Sequence, residues 1–170
     1  LDLESGYKIA KYIEGQPLSE LNPLDYLEEA AEVLHKVHDS GLKSDFDYVT
    51  TVENLRNIVM SQGDTKWFAD IDYQKDASIA DISIRPTTLL LFGGPAPGGK
   101  AMMTSPKIGL DAFCQKLLVY EKSNGEVWIA YNDIVAFAEL YYQTSTKPQQ
   151  MINQRLKMTF SKAVTKPLNE

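Results

Sequence analysis

The sequence has few of the residues that build disulfides and metal sites: one cysteine and two histidines among 170 residues. A single cysteine excludes an internal disulfide and a cysteine-based zinc site. No apolar run approaches the roughly 20 residues of a membrane-spanning helix, so no transmembrane segment is predicted. Basic residues are scarce beside acidic ones, 17 against 23, and the net charge of −6 argues against nucleic acid or an anionic membrane as the main partner.

What is present is an ordinary globular composition, with 44% hydrophobic and 24% charged residues. It excludes a disordered or fibrous chain, and the length suits one domain or one domain with an appendage. The acidic excess lies at the start: residues 1–43 contain 9 acidic and 4 basic side chains, whereas residues 44–170 contain 14 and 13. The charge distribution therefore indicates two unlike parts. We expect a cytoplasmic location, with export after removal of a leader as the alternative.

The first part, residues 1–47, has the pattern of a strand followed by a helix. The strand is predicted over 6–13, and the helix opens at Asn22-Pro23 and ends at Ser40-Gly41. The two histidines, His35 and His38, lie one turn apart on this helix. They could share a metal ion, but a closed site needs further ligands, so no metal site is predicted.

The second part, residues 48–166, alternates between helix and strand signals. It begins with a helix that has a capping box at Thr50–Glu53, followed by a strand over 66–73 and a short helix over 77–82. A strand over 87–92 then leads into a loop over 93–99. Strands over 116–121 and 126–131 are joined by an Asn124-Gly125 hairpin, and helices follow over 134–142 and after Pro148. This order predicts a two-layer α+β fold, with helices packed on one face of a mostly antiparallel sheet. The first part adds an N-terminal strand–helix extension.

The glycine-rich segment over 93–99, which follows the strand predicted over 87–92, carries the first candidate site. From Gly94 to Lys100 it matches the phosphate loop G-x-x-x-x-G-K, but Ala101 has no hydroxyl for magnesium. Pro95 and Pro97 also remove two backbone donors that a phosphate would need. The segment is therefore predicted to be a rigid turn, with a ligand pocket beside Gly94 and an anion contact from Lys100 as the functional alternative.

Two carboxylates form the second candidate site. Asp70 and Asp72 occupy alternate positions of one strand and so share a face of the sheet. If Phe68 lies on the same face, the carboxylates line a partly buried site; otherwise they belong to a solvated sheet face. Arg85 before the next strand is an anion anchor or a surface pair, and Asn132 is a ligand contact or part of a helix cap.

Cys114 is the third candidate. A reactive thiol needs a base or a cation nearby, and Lys116, two residues away on a strand, could supply the charge. Both histidines lie in the other part of the chain. A buried core cysteine is the competing interpretation.

From about residue 48 to 164 the chain resembles the domain-of-unknown-function family 302, a group of small bacterial and archaeal α+β domains. The resemblance is carried by Phe68-Ala69-Asp70-Ile71-Asp72, Arg85-Pro86-Thr87-Thr88-Leu89-Leu90-Leu91-Phe92-Gly93-Gly94-Pro95, Gly109-Leu110-Asp111, Lys116-Leu117-Leu118-Val119-Tyr120-Glu121 and Trp128-Ile129-Ala130-Tyr131-Asn132-Asp133. One departure is the absence of the proline that often follows the Leu110-Asp111 pair. The resemblance implies a compact homodimeric domain, and it implies no activity, cofactor or catalytic residue.

Residues 6–15 and 31–40 resemble the inter-lobe strand and following helix of choline-kinase-like phosphotransferases. The nucleotide-binding lysine, the catalytic-loop aspartate and asparagine and the metal-binding aspartate of those enzymes are missing. Phosphoryl transfer depends on such positioned charges, so kinase activity is not expected.

Together these patterns predict a homodimeric small-molecule-binding or assembly module without catalysis. Its pocket is expected near the glycine-rich segment and the strand aspartates, with Asp70, Asp72, Arg85, Gly94, Lys100 and Asn132 as contacts. The alternative is an enzyme that uses Cys114 or the Asp70/Asp72 pair.

Overall fold

The computed structural model describes residues 40–103, 106, 109, 113–142 and 147–167. The predicted strand over 6–13, the helix from Pro23 and the histidine pair lie outside these residues. The described elements are β1 (Ser40–Lys43), α1 (Tyr48–Met60), β2 (Lys66–Asp72), α2 (Tyr73–Ile79), β3 (Thr87–Gly93), α3 (Pro95–Met102), β4 (Gln115–Glu121), β5 (Val127–Tyr131), α4 (Ile134–Tyr142) and α5 (Lys147–Val164).

The described strands form a five-stranded sheet in the order β1-β5-β4-β3-β2, and every neighbouring pair is antiparallel. The turn between β4 and β5 contains Gly125 at φ +80°, a conformation that glycine adopts without steric cost. This is the hairpin that Asn124-Gly125 predicts. The predicted α+β fold with an antiparallel sheet is confirmed.

One face of the sheet, which we call the helix face, carries the core. Alternate residues of the three inner strands are buried there, and they pack against apolar residues of α1, α4 and α5. Phe160 of α5 occupies the centre, with its ring 4.7 Å from that of Tyr131 and 6.0 Å from that of Phe92. Period-2 burial on the strands and one apolar stripe on each helix therefore meet in a single core.

The opposite face, which we call the open face, carries the other half of each strand. The register places eight hydrophobic and aromatic residues on it: Ala69, Ile71, Leu89, Leu91, Leu118, Tyr120, Trp128 and Ala130. All eight are only partly buried. The sheet is thus covered on one face and partly exposed to solvent on the other.

Helix α1 begins earlier than its sequence pattern predicts. Its N-cap is Asp47, whose carboxylate accepts hydrogen bonds from the backbone N–H of Thr50 at 2.9 Å and from its hydroxyl at 2.7 Å. The predicted capping box at Thr50 is therefore wrong. An aspartate three residues upstream satisfies the same free N–H groups, so the cap signal is real but belongs to a different residue.

The predicted loop over 93–99 is also wrong, because Pro95–Met102 is helix α3. Gly94 is its N-cap, and the first helical hydrogen bond runs from the Gly98 N–H to the Gly94 carbonyl at 2.8 Å. Prolines at the first and third helical positions cost nothing there, since those N–H groups have no partner within a helix. The prolines that suggested a turn are instead compatible with a helix start.

Two further boundaries differ from the predictions. The short helix spans Tyr73–Ile79, and Ser40 and Gly41 pair with Tyr131 and Ala130 as part of edge strand β1. A four-residue strand that contains a glycine has no readable alternation. Residues 40–47 consequently contribute to the sheet domain that the sequence pattern began at residue 48.

Candidate functional site

The two strand aspartates share the helix face of the sheet, as their spacing predicts. Asp70 pairs with Leu90 and Asp72 with Thr88, and both partners point to that face. A β-bulge between Trp67 and Ala69 changes the alternation upstream. Phe68 consequently lies on the other face, where its ring would be 3.2 Å from a Cβ atom on Gly93. The condition for a partly buried carboxylate site, a shared face with Phe68, is not met.

Asp70 is held by two neighbours on the helix face. It accepts a hydrogen bond from the indole N–H of Trp67 at 2.8 Å and pairs with the guanidinium of Arg56 from helix α1. The Arg56 guanidinium also lies 5.6 Å from the centre of the Trp67 ring. The bulge places Trp67 and Asp70 on one face, and the three side chains join α1 to the edge strand.

Asp72 is the N-cap of helix α2, where its carboxylate accepts a hydrogen bond from the Lys75 N–H at 3.0 Å. Nearby, the Tyr48 hydroxyl donates to Thr88 at 2.6 Å. Burial, with a smaller contribution from the charge of Asp72, raises the pKa of Tyr48. Both aspartates therefore have roles in holding secondary structure together.

A small cavity of about 50 Å³ lies beside the start of helix α3. Its lining is mainly apolar, with polar side chains from β4, α5 and the turn before β2. The polar side chains of α5 and the turn are joined by hydrogen bonds and form what we call the polar end. The apolar lining consists of Val59, Phe92, Pro97, Phe113, Ile152, Leu156 and Phe160. The polar lining consists of Gln62, Asp64, Thr65, Gln115, Arg155 and Thr159.

The polar end of this cavity is organised by an ion pair. Arg155 donates two parallel hydrogen bonds to Asp64, Nη1 to Oδ2 at 2.7 Å and Nη2 to Oδ1 at 2.6 Å, and Nη2 also donates to Gln62. Gln62 in turn donates to the Thr159 hydroxyl at 3.3 Å. Hydrogen bonds from Arg155 hold the pKa of Asp64 below its usual value, and those to Asp64 raise the pKa of Arg155.

Among the contacts predicted from the sequence, Gly94 lines the cavity and the others do not. Arg85 forms an ion pair with Glu121 at 3.7 Å, the surface alternative. Lys100 is exposed in the last turn of α3.

Asn132 follows β5, and its neighbour Asp133 makes the α4 cap, accepting from the Ala136 N–H at 2.9 Å. Cys114 is a free, partly buried thiol immediately before β4. The structure therefore does not bring these candidates together at one site.

The residues that organise the cavity were not identified from the sequence. Asp64 and Arg155 are 91 positions apart, and neither belongs to a recognisable motif. Only the packing of α5 against the turn before β2 brings them together. No local signal could have paired them.

In the part of the chain that the structure describes, no three histidine, cysteine, aspartate or glutamate residues are grouped as metal ligands. The described helices also include none that is long and apolar enough to cross a membrane.

A solved structure shows the same fold at low sequence identity. The uncharacterised conserved protein DUF302 from Bacillus stearothermophilus superimposes with a TM-score of 0.61 at 13% identity, over 75% of this chain and 95% of that one.

Curated relatives are similar to a smaller part of the sequence, at a higher identity. Proteins named fluoride-specific ion channel FluC 1 from Brucella suis and from Brucella abortus are each 31% identical over 115 residues, 62% of this chain. The matched region covers 44% and 42% of those proteins, so the chain spans less than half of their length.

The family comparison covers most of the chain. The matching family model begins at residue 41, and the comparisons do not support the resemblance of residues 1–47 to choline-kinase-like phosphotransferases. The match to the domain of unknown function DUF302 extends over residues 41–163, which include every described strand except the first residue of β1. The chain belongs to the DUF302 family.

Proposed function

We propose that this domain is a non-catalytic assembly module that works as a homodimer and binds a small molecule. The observation that supports assembly is the open face, an apolar surface on a sheet whose other face is already packed. One row of residues crosses the sheet through Ile71, Leu89, Leu118 and Ala130. Extended apolar surfaces of this kind mark interaction sites on proteins.

The size of the open face fits a second copy of the same chain. The five strands contain 4 to 7 residues each, and at about 3.3 Å per residue and about 4.8 Å between strands they present on the order of 450 Å². Pairing two copies then buries about 900 Å², near the lower limit of about 1,000 Å² for a specific interface. Leu118 on β4, the middle strand, is at the centre of this surface.

The alternative of carboxylate catalysis has less support. A catalytic pair needs at least one carboxylate that is available to a substrate. Asp70 is bonded to Trp67 and Arg56, and Asp72 caps helix α2. The assembly proposal uses surface that has no role within the described fold, and we therefore prefer it.

The oligomer is tested by placing a charge at the centre of the open face. We expect the wild-type protein to have twice the chain mass of 19.1 kDa and Leu118→Asp to be monomeric. Two carboxylates brought together in a desolvated interface repel each other and lose hydration. Sedimentation equilibrium over a range of concentrations measures both masses.

The matched control is Met158→Asp, which adds the same charge at a side chain of α5 that is 54% exposed. It should leave the dimer intact. A wild-type monomer at every concentration, or a Leu118→Asp dimer as stable as wild type, contradicts the proposal. Circular dichroism verifies that each variant is folded.

The names of the Brucella relatives favour a second candidate function, a role beside a fluoride channel. In those proteins the matched region is less than half of the chain, as expected for an accessory module within a longer protein. We expect a strain without this gene to grow less well in fluoride and equally well in chloride. Wild-type protein should restore growth, and a deletion strain with normal fluoride tolerance contradicts this function.

A further inference from the structure

The size of the cavity beside α3 limits what can enter it. Its volume is about 50 Å³, roughly a third of the about 150 Å³ of a cavity that binds benzene. An aromatic ring is therefore too large. The space suits an apolar group of about two or three carbon atoms.

The lining sets the chemistry of that inner group. Rings of Phe92, Phe113 and Phe160 and the aliphatic side chains of Val59 and Ile152 surround the space. Apolar walls of this kind give a charged or strongly hydrated group no replacement for its water. The end of a ligand that enters the cavity is consequently a short hydrocarbon.

The polar end offers donors and acceptors side by side. With its described partners Arg155 uses three of its five N–H groups, two on Asp64 and one on Gln62. Each oxygen of Asp64 has lone pairs beyond the one that Arg155 occupies. A ligand head at this position can therefore accept from the guanidinium and donate to the carboxylate.

The ion pair also discriminates by charge. The charges of Arg155 and Asp64 sum to zero, so the pair attracts neither an anion nor a cation through a net charge. A ligand carboxylate would face Asp64, and a ligand ammonium would face Arg155. Like-charge juxtaposition is unfavourable for both kinds of ion, which favours a neutral head.

We infer that the cavity binds a small neutral molecule with a short hydrocarbon end and a head that both donates and accepts hydrogen bonds, the chemistry of a short primary amide. The inference rests on the small-molecule part of the proposed function and is independent of the dimer. It assigns Arg155 and Asp64 to the ligand head, and Ile152 and Leu156 to the hydrocarbon end.

Methyl-detected NMR titration of the full chain tests the inference with propionamide and its isosteric acid, propionate. We expect propionamide to shift the methyl signals of Ile152 and Leu156. Propionate should bind roughly tenfold more weakly or worse, because its charge faces Asp64. The Ile79 methyl, on a side chain that is 79% exposed, is the reference signal that should not move.

Two variants test the assignment of the residues. In Asp64→Asn the preference should reverse in favour of propionate, since Arg155 is left with a positive charge to pair. Because both side chains are 43% exposed, the pair adds little to stability, and the variant is expected to fold. Ile152→Phe fills the cavity and should abolish the propionamide shifts.

Absence of shifts with propionamide in the wild type overturns the inference, as does equal binding of amide and acid. Unchanged preference in Asp64→Asn overturns the role of the ion pair. The dimer mass is measured separately, so a dimeric protein that ignores propionamide retains the assembly proposal and loses only the ligand.

Discussion

Phe160→Ala should lower the free energy of unfolding by about 3–5 kcal/mol, as for other phenylalanines removed from a closed core. The side chain is 1% exposed and touches the sheet through Tyr131 and Phe92. Truncation leaves a cavity where helix α5 meets the sheet, and the surrounding side chains close it only in part. Urea denaturation followed by circular dichroism measures the loss.

A matched pair of variants separates this effect from a general weakness of α5. Met158→Ala changes a side chain on the same helix that is 54% exposed, and the free energy should stay within about 0.5 kcal/mol of wild type. Phe160→Leu keeps most of the volume and should cost less than about 1.5 kcal/mol. Equal losses in Phe160→Ala and Met158→Ala would show that Phe160 is not central to the core.

Leu90→Asp should prevent folding, whereas Leu89→Asp one residue earlier should fold. Leu90 is fully buried on the helix face, and Leu89 is partly exposed on the open face. An unpaired carboxylate in an apolar core costs several kcal/mol, a large part of the total stability of a small domain. Far-UV circular dichroism of the two purified variants distinguishes the outcomes.

The same pair tests which face of the sheet is covered. If Leu89→Asp also failed to fold, the open face would have to be packed against another part of the chain. If Leu90→Asp kept its thermal transition, the placement of the core on the helix face would be wrong. We expect Leu89→Asp to be folded and monomeric.

Strands and the hairpin were the elements most accessible to sequence reasoning. Lys66–Asp72 and Thr87–Gly93 lie within one residue of their predicted limits. Apolar alternation and an Asn-Gly turn are local signals, since each is decided by a few adjacent residues. The helix predicted after Pro148 is likewise present as α5, Lys147–Val164.

Helix starts were harder, for a physical reason. Both Asp47 and Thr50 can accept a hydrogen bond from a free N–H, and the choice between them depends on where the chain leaves β1. Pro95 and Pro97 are compatible with a turn and with the first turn of a helix. Packing of Gly98 against the Phe113 ring, 3.0 Å from the position of a Cβ atom, is a tertiary contact that local patterns do not contain.

The candidate site depended most strongly on distant residues. The sequence indicated that Asp70 and Asp72 share a face, but the bulge that turns Phe68 away is a register shift without a residue signature. A cavity lies beside Gly94, where a ligand pocket was one of the two interpretations. Its ion pair joins the turn before β2 to helix α5, and the predicted contacts Lys100, Arg85 and Asn132 lie elsewhere.

Local periodicity, turn chemistry and family pattern were enough to establish an antiparallel α+β domain of the DUF302 family, because each is written in short stretches of residues. The pairing of Arg155 with Asp64 and the exposure of Leu118 are properties of the assembled chain. They arise because elements far apart in sequence pack on the same face of the sheet. The helices bury that face and leave the other one partly exposed.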